Sequence, residues 1–389
     1  MERIYLDHNA TTPVDRDVAA VVAKTLTEHA GNPSSAHASG RAAKACLEQA
    51  RADIAGVLSC KPSEIRFTST GSEADNLAVY GLAVARGGRI VTSNVEHPAI
   101  ARPCRAAGAS LVQLDEIAVD RSGRVTKESV ASALDREGAP APALVTLIHA
   151  QNETGILQPV HEIGALCREN DVPFHTDAAQ SFGKIPIDLS RDPFDLMTIV
   201  GHKFYAPKGV SVLYVRSGIE LRPVILGGAQ EGGMRPGTEN VALAAGLALA
   251  MKKAADHLPT ESPRLRQVRD AFEAGLLDQV GGVHVIGRDV DRLPGTSCVL
   301  FEDVIGFQLG AALDARGYEV STGSACHSGS PEPSPALVAM GIDPLLAAGM
   351  VRVGFGHANT PEHAKRLVNV VAESVKQLRA TGAPREVNR

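Results

Sequence analysis

Several features that define common protein classes are missing from this sequence of 389 residues. It has no run of about 18 or more consecutive apolar residues, so no membrane-spanning helix is predicted. Its formal net charge of -5 gives no basic surface for binding nucleic acid. The first residues lack the charged-then-apolar layout of a signal peptide, and we therefore expect a cytoplasmic protein.

Cysteine is present, but without the spacing of a metal site or a disulfide framework. The chain holds six cysteines, with no CxxC pair and no zinc-ligand spacing, which predicts cytosolic thiols and no bound metal. A Walker motif and a convincing GxGxxG motif are also missing, which argues against a P-loop nucleotide and a dinucleotide. What remains is the composition of a globular enzyme, with 44% hydrophobic and 21% charged residues.

From residue 65 to about 215, the chain alternates short apolar segments with helical ones. This pattern predicts an α/β fold with a mainly parallel sheet and crossover helices. The predicted strands are 65–68, 89–92, 111–113, 143–148, 173–176, 196–200 and 211–215, and helices are predicted at 15–29, 38–58 and 241–256. Because the chain is longer than a single core usually allows, we expect a large domain, 15–257, and a smaller one built from 1–14 and 258–389.

The most informative stretch is the apolar run 196–200, which ends abruptly in Gly201, His202 and Lys203. Residues that leave the carboxyl end of a buried parallel strand face the crevice where open α/β sheets bind ligands. A partly desolvated lysine in such a crevice has a lowered pKa, so its amine can form a Schiff base with a carbonyl. A lone lysine at this place would more often be a surface residue, and the interpretation therefore depends on the other strand ends.

Two other strand ends carry residues that suit a phosphate and a pyridine ring. Gly71 and Ser72 open a helix after strand 65–68, where unpaired N–H groups attract an anion, although an ordinary helix cap is the alternative. Asp177 follows strand 173–176 and could bind a metal or hold a protonated pyridine nitrogen. Together with Lys203, these functions fit pyridoxal 5'-phosphate (PLP), and His97 adds a flat ring for stacking.

A series of short motifs lies along nearly the whole chain. They are Tyr5-Leu6-Asp7 with Ala10-Thr11-Thr12-Pro13, Gly31-Asn32-Pro33-Ser34-Ser35, Glu96-His97, Asn152-Glu153-Thr154-Gly155, Asp177-Ala178-Ala179-Gln180, Gly201-His202-Lys203, Arg235-Pro236-Gly237-Thr238 and Gly323-Ser324-Ala325-Cys326. In order and spacing they resemble the cysteine desulfurases and selenocysteine lyases, class V members of the aminotransferase-like, PLP-dependent fold type I family. The resemblance implies a large domain with a mainly parallel seven-stranded sheet flanked by helices, plus a smaller α+β domain.

The resemblance also implies a role for each residue of the cofactor site. Lys203 is expected to carry the Schiff base and to move protons, Asp177 to pair with the pyridine nitrogen, and His97 to stack on the ring. The other implied cofactor contacts are Gln180 and Asn152 near the ring hydroxyl, and Gly71, Ser72, His202 and the neighbouring subunit's Thr238 at the phosphate. Because the last contact crosses between subunits, a homodimer with a shared phosphate site is expected.

The substrate site is implied in the same way. Arg352 is expected to hold the substrate carboxylate, which suits its bidentate fork, with Asn9 and Asn152 in the same pocket. Val200 stands where many desulfurases place a phosphate-binding serine, and His357 replaces a usual arginine.

Cys326 is the predicted nucleophile. Small, turn-forming residues surround it in 320–331, which suits a thiol that must travel between a site and an acceptor. Its thiolate can take the sulfur or selenium of a bound substrate as a persulfide or selenopersulfide. For the cysteine by itself, an unremarkable loop thiol is the alternative.

The predicted function is therefore cysteine desulfurase. L-cysteine becomes L-alanine, and the sulfane sulfur on Cys326 passes to an acceptor protein. The alternatives are a selenocysteine lyase using the same residues and an inactive family member that serves as a binding scaffold. The sequence leaves the acceptor pathway open among iron–sulfur assembly, tRNA thiolation and sulfur modification of DNA.

Overall fold

The structure is a computed structural model that describes residues 3–323 and 333–382. Its α-helices are α1 (Arg16–Glu28), α2 (Ala38–Leu58), α3 (Gly71–Ala78), α4 (Pro98–Gly108), α5 (Lys127–Leu134), α6 (Val160–Glu169), α7 (Val241–Gln279), α8 (Gly306–Asp314), α9 (Pro335–Ala339), α10 (Pro344–Ala347) and α11 (Pro361–Ala380). Its strands are β1 (Ile4–Tyr5), β2 (Ile65–Thr68), β3 (Arg89–Ser93), β4 (Gln113–Ile117), β5 (Pro142–Ile148), β6 (Phe174–Asp177), β7 (Leu196–Val200), β8 (Ser211–Val215), β9 (Val283–Val285), β10 (Thr296–Phe301), β11 (Tyr318–Glu319) and β12 (Met350–Gly354). Within these described ranges, every helix is too short or too polar to cross a lipid bilayer.

Seven strands form the large sheet, in the order β2-β8-β7-β6-β5-β3-β4. Strands β4, β3, β5, β6 and β7 run parallel, and β8 is antiparallel to both of its neighbours. The predicted seven-stranded, mainly parallel sheet is thus confirmed. Because β5, β6 and β7 are parallel neighbours, their carboxyl ends meet at one edge of the sheet.

Both faces of this sheet are covered by helices, which explains the nearly continuous apolar runs of its strands. Successive side chains point to opposite faces, so Met197 and Ile199 of β7 join the core beneath α2, α6 and α7. Leu196, from the same strand, packs with the core beneath α3 and α4 on the other face. Strand β7 is therefore buried on both sides up to the turn that carries Lys203.

The predicted strand 111–113 is wrong. The N–H groups of Leu111 and Val112 bond back to the carbonyl of Ala107, which closes the end of α4. The real strand, β4, begins at Gln113 and lies at the edge of the sheet, where it carries the polar sequence Gln-Leu-Asp-Glu-Ile. An edge strand needs little apolar surface, and its weak alternation hid it from a search for apolar runs.

The predicted helix 241–256 is also wrong at its end, because α7 continues to Gln279. Pro259 and Pro263 lie inside the helix, where each removes one backbone donor. The helix continues because Leu265, Val268 and Phe272 of its second half bury their side chains in another core. We propose to keep the boundary between the large and small domains at 257/258, within this helix, because the two halves of α7 pack into different cores.

The small core also takes in the N-terminal segment. Strand β1 pairs with β11, and the fully buried Leu6 packs in the same cluster as Phe272. Strands β12, β10 and β9 form an antiparallel sheet beside it. From Leu6 the chain passes Asp7, bridged to Gly354, and then reaches the edge of the large sheet at Asn9. The N-terminal segment therefore links the small core to the site described next.

Candidate active site

A cavity of about 570 Å³ lies at the carboxyl ends of β5, β6 and β7. Its walls come from these strand ends, from the first turns of α3 and α4, from the N-terminal segment and from β12. The sequence-predicted residues that line it are Asn9, Gly71, Ser72, His97, Asn152, Asp177, Gln180, His202, Lys203 and Arg352. The fold thus brings ten dispersed residues to one place.

Lys203 ends a short 3₁₀ turn, Gly201–Lys203, that follows β7 directly. A Cβ atom on Gly201 would lie 2.9 Å from Leu247 Cδ1 and 3.0 Å from the carbonyl oxygen of Val210, so the turn packs closely on α7 and on the residue before β8. The Lys203 amine donates to the carbonyl oxygens of Asn9, at 2.8 Å, and Ala10, at 2.9 Å. The lysine is thereby held at the cavity wall on backbone acceptors.

Asp177 is the last residue of β6 and is buried in the cavity floor. Its Oδ1 accepts a hydrogen bond from the N–H of Ala179 at 2.9 Å. Burial raises the pKa of Asp177, and the neighbouring imidazole of His97 opposes this rise. A cationic group in the cavity would restore the charged form of this carboxylate.

His97 caps the N-terminus of α4, where its Nδ1 accepts from the N–H of Ala99 at 3.1 Å. This bond fixes the tautomer, because a nitrogen that accepts carries no proton. Burial lowers the pKa of His97, with Asp177 raising it and Lys203 lowering it further. The ring is therefore held neutral at the cavity wall in a fixed orientation.

The first turn of α3 lines the cavity, and the first backbone N–H groups of a helix have no partner within the helix itself. Thr70 caps the helix through its side chain, and Gly71 and Ser72 follow. A Cβ atom on Gly71 would lie 2.5 Å from Val200 Cγ2, so only glycine fits this contact without movement. Val200, at the position of the expected serine, offers a packing surface here instead of a hydroxyl.

Arg352 reaches the cavity from β12 and is buried there. Its Nη2 donates to Oδ1 of Asp7 at 2.8 Å, and its Nη1 donates to the carbonyl of Asn152 at 3.0 Å. Its buried Nε has no hydrogen-bond acceptor among the described residues. Asn9 lies alongside, with its amide bonded to Thr296 Oγ1 at 3.0 Å and to the Asn152 carbonyl at 3.4 Å.

Gln180 and His202 complete the part of the site that the sequence predicted. Nε2 of Gln180 donates to the carbonyl of Asn9 at 2.8 Å. Nδ1 of His202 lies 3.1 Å from Thr11 Oγ1, and burial lowers its pKa to about 4. Both side chains are therefore tied to the N-terminal segment.

Two of the predicted site residues are not among the described residues that line the cavity. Thr238 is exposed, in the loop before α7, and does not line the cavity. Cys326 lies outside the described residues. Pro335 and Ala336, which follow that segment, line the cavity.

Sequence reasoning missed two buried carboxyl groups in the cavity wall, Asp75 and Glu96. Burial and the nearby Asp177 raise the pKa of Asp75, and burial raises that of Glu96 to about 8. Oδ1 of Asp75 and Oε2 of Glu96 have no hydrogen-bond partner among the described residues. A signal was available for both, because Asp75 stands four residues after Gly71 on the same helical face and Glu96 directly precedes His97.

The buried His175 was also missed. It lies on β6 with Nε2 3.8 Å from Oδ1 of Asp75, and its ring nitrogens contact the hydroxyls of Thr146 and Thr198 at 2.8 and 3.1 Å. Across residues 3–323 and 333–382, no group of three or more His, Cys, Asp or Glu side chains is arranged to hold a metal ion.

A mainly parallel sheet that presents a lysine, a buried aspartate and a helix N-terminus to one cavity defines a class of α/β enzymes with a lysine-centred site. The chain belongs to the aminotransferase class-V family, whose model matches residues 4–367. It is 38% identical over 379 residues to the cysteine desulfurase IscS of Dictyoglomus turgidum, which covers 97% of this chain and 95% of that protein.

Solved structures agree with this assignment. A chain described as NifS-like protein superposes with a TM-score of 0.88 at 33% identity, covering 96% of this chain and 100% of the other. A second, described as SspA in complex with cysteine, gives a TM-score of 0.79 at 34% identity, covering 90% of this chain and 98% of the other. The fold type I architecture expected from the motifs is thereby confirmed.

Proposed function

We propose that this protein is a PLP-dependent cysteine desulfurase, which converts L-cysteine to L-alanine and passes the sulfur to an acceptor. The observation that carries the proposal is the meeting of Lys203, Asp177 and the first turn of α3 at one cavity. Two relatives support cysteine as the substrate, since one is named a cysteine desulfurase and the other was solved in complex with cysteine. These names favour a desulfurase over a selenocysteine lyase.

The residues around the cavity fit PLP. A phosphate suits the N–H groups at the start of α3, where Gly71 lets the backbone come close and Ser72 and His202 add polar contacts. A protonated pyridine nitrogen suits the buried Asp177, which needs a nearby cation to ionise. PLP supplies an aldehyde for amines and a ring that withdraws electrons from the substrate's Cα.

The chain's own residues then divide the remaining work. We assign the covalent linkage to the amine of Lys203, together with proton transfer at the substrate's Cα. Its anchoring carbonyls, from Asn9 and Ala10, return the amine to one place after each transfer. We assign stacking on the ring to the neutral, oriented imidazole of His97, and contact with the ring oxygen to Gln180 and Asn152.

Arg352 is assigned to the substrate carboxylate. Asp7 and the carbonyl of Asn152 hold its two terminal nitrogens, whereas its Nε still needs an acceptor. An arriving carboxylate supplies that acceptor, and the fixed guanidinium needs little reorganisation to receive it. Asn9, beside it, is the second substrate contact that we propose.

Cys326 is assigned as the nucleophile. Its thiolate attacks Sγ of the bound cysteine, so that an S–S bond forms and the Cβ–Sγ bond breaks. The electron pair of the broken bond stays with the carbon fragment, which takes up protons and leaves as alanine. Support comes from the cavity lining by Pro335 and Ala336, which lie close to Cys326 in the sequence.

We further propose a homodimer in which Thr238 of one subunit completes the phosphate site of the other. The exposed position of Thr238 supports this assignment, because the side chain is available to a second subunit. The proposed sulfur acceptor is a protein, and the proposed compartment is the cytoplasm. Free thiols at Cys46, Cys60, Cys104, Cys167 and Cys298 suit a reducing compartment.

Two substitutions test the proposed function. Lys203→Ala should abolish alanine formation and the visible absorption of protein-bound PLP, because both depend on the amine. Cys326→Ser should keep the visible absorption and lose sulfide release by about 10³-fold or more, as expected for loss of a nucleophile. Alanine, sulfide and the absorption spectrum are measured on the same preparations.

Cys46→Ser is the matched control, because Cys46 is another free thiol, half-buried on α2. This variant should behave as the unaltered protein. The proposal fails if the unaltered protein binds no PLP, or if Cys326→Ser desulfurates cysteine at the normal rate. Turnover of selenocysteine with negligible turnover of cysteine would instead establish the lyase.

A further inference from the structure

Lys184 is a second lysine near the cavity that sequence reasoning did not single out. It lies in the turns that follow β6, four residues after Gln180, and its half-buried amine donates to Gln180 Oε1 at 3.0 Å. Burial, followed by the positive charges of Lys203 and Arg352, lowers the pKa of Lys184 to about 7. Lys184 is thus held near two other cationic side chains, at a cost in electrostatic repulsion.

The Gln180 amide is hydrogen-bonded at both of its ends. A glutamine amide has one accepting and one donating end, and its two ends are interchangeable unless the partners distinguish them. Here the Asn9 carbonyl can only accept, so it takes Nε2 at 2.8 Å. The Lys184 amine donates to Oε1 at 3.0 Å, and in its charged form it can only donate. Both ends of the Gln180 amide are therefore assigned by their partners.

The consequence reaches the cavity, which Gln180 lines. With Oε1 turned to Lys184 and one N–H of Nε2 given to Asn9, the amide still has the second N–H group of Nε2 to offer. The same Asn9 carbonyl also accepts from the Lys203 amine at 2.8 Å. Lys184, Gln180, Asn9 and Lys203 thus form one chain of hydrogen bonds along the cavity wall.

We propose that Lys184 is a positioning residue that, together with the Asn9 carbonyl, holds the Gln180 amide so that it presents an N–H group to the cavity. The proposal deepens the proposed function, on which it rests, because an oxygen atom of PLP is the group that such a donor would meet. Lys184 acts through Gln180 and makes no contact with the substrate.

The test measures the dissociation constant of PLP from the protein by fluorescence titration. Lys184→Met should weaken binding about three- to tenfold, the range of one hydrogen bond. Lys184→Gln should weaken it similarly, because a second amide can accept as well as donate, and the Asn9 carbonyl alone would then favour one orientation of the Gln180 amide. Lys184→Arg keeps a pure donor and should restore binding close to that of the unaltered protein.

A double-substitution cycle separates positioning from a general structural role. If Lys184 acts through Gln180, Lys184→Met should change PLP binding no further in a Gln180→Leu protein. Lys252→Met, at an exposed lysine on α7, is the matched control and should leave the dissociation constant unchanged. Thermal unfolding of each variant verifies that it is folded, and Lys184→Gln carries the test if Lys184→Met does not fold.

Each outcome is decisive for one of the two proposals. If the unaltered protein does not bind PLP, the proposed function fails. If it binds PLP and Lys184→Met or Lys184→Gln binds it equally well, the role of Lys184 fails while the proposed function stands. Equal losses with and without Gln180 would also overturn the positioning role.

Discussion

Buried carboxyl groups are the unusual residues of this site. Asp75, Glu96 and Asp177 lie together in the cavity wall, and burial is the largest cause of the raised pKa of each. Their mutual repulsion adds to the effect of burial for Asp75 and Glu96, so ionising all three carboxyl groups at once is unfavourable. Asp177 is predictable from its strand end, whereas Asp75 and Glu96 sit inside motifs whose neighbours attract more attention.

Glu96 makes the stability of the PLP-free protein depend on pH. Its pKa is about 8 in the folded protein and about 4.5 without burial, so between these values the folded state binds a proton that the unfolded chain does not. Stability therefore falls as pH rises through this range, by at most about 1.4 kcal/mol per pH unit. Glu96→Gln should reduce the slope of the unfolding free energy against pH in this range, because glutamine does not titrate.

The measurement is thermal or urea unfolding of the PLP-free protein across neutral pH. Glu137→Gln, at an exposed glutamate, is the control and should retain the slope of the unaltered protein. An equal slope in the Glu96→Gln protein would show that Glu96 is ionised throughout and would contradict the prediction.

The close packing of α3 on β7 determines how near a ligand can approach the first turn of α3. The first turn of α3 comes so close to β7 that a Cβ atom on Gly71 would lie 2.5 Å from Val200 Cγ2. The two residues are far apart in sequence, and no local sequence pattern predicts their contact. The sequence predicts a helix start at this strand end but cannot show which side chain limits its approach.

Gly71→Ala should destabilise the protein by about 1–3 kcal/mol, the usual range for overpacking a close contact. Adding Val200→Ala removes the opposing methyl group, so the double variant should recover most of the loss. Denaturant unfolding of the two single variants and the double variant gives the coupling between the sites. Strict additivity of the two changes would contradict a rigid contact between α3 and β7.

Burial on both faces explains which strands the sequence predicts well. Strands 196–200 and 211–215 are found at their observed bounds because they are buried on both faces and strongly apolar. The helices at 15–29 and 38–58 agree with α1 and α2 to within two residues at either end. The edge strand β4 and the second half of α7 are missed because tertiary contacts, and not local pattern, define them.

For the whole molecule, the exposed loop before α7 is the best candidate for contact with a second copy. Val224, Ile225 and Leu226 are 44%, 54% and 84% exposed, three adjacent apolar side chains on the loop that carries Thr238. Adjacent exposed apolar residues commonly mark an interface. This placement supports the proposed shared site, because the partner that covers these side chains would also meet Thr238.

If the proposed dimer uses this loop, Leu226→Glu should shift it to monomer and weaken its retention of PLP, because burying a charge in an apolar contact costs free energy. Light scattering after size-exclusion chromatography measures the oligomeric state. Leu111→Glu is the control, at a leucine outside this loop that is 56% exposed, and it should leave the proposed dimer intact. A Leu226→Glu protein that stays dimeric with full PLP content would refute this use of the loop.

The course of α7 limits how the molecule can be divided. The helix runs unbroken from Val241 to Gln279, while Leu6 packs against its distant half. The polypeptide thus leaves the small core between Leu6 and Val18 and returns to it between Ala254 and Leu265, the second time within one continuous helix. Dividing the gene at either crossing would leave one fragment with apolar surface that its own residues cannot cover. Reconstitution from separately expressed halves would therefore need a different division point.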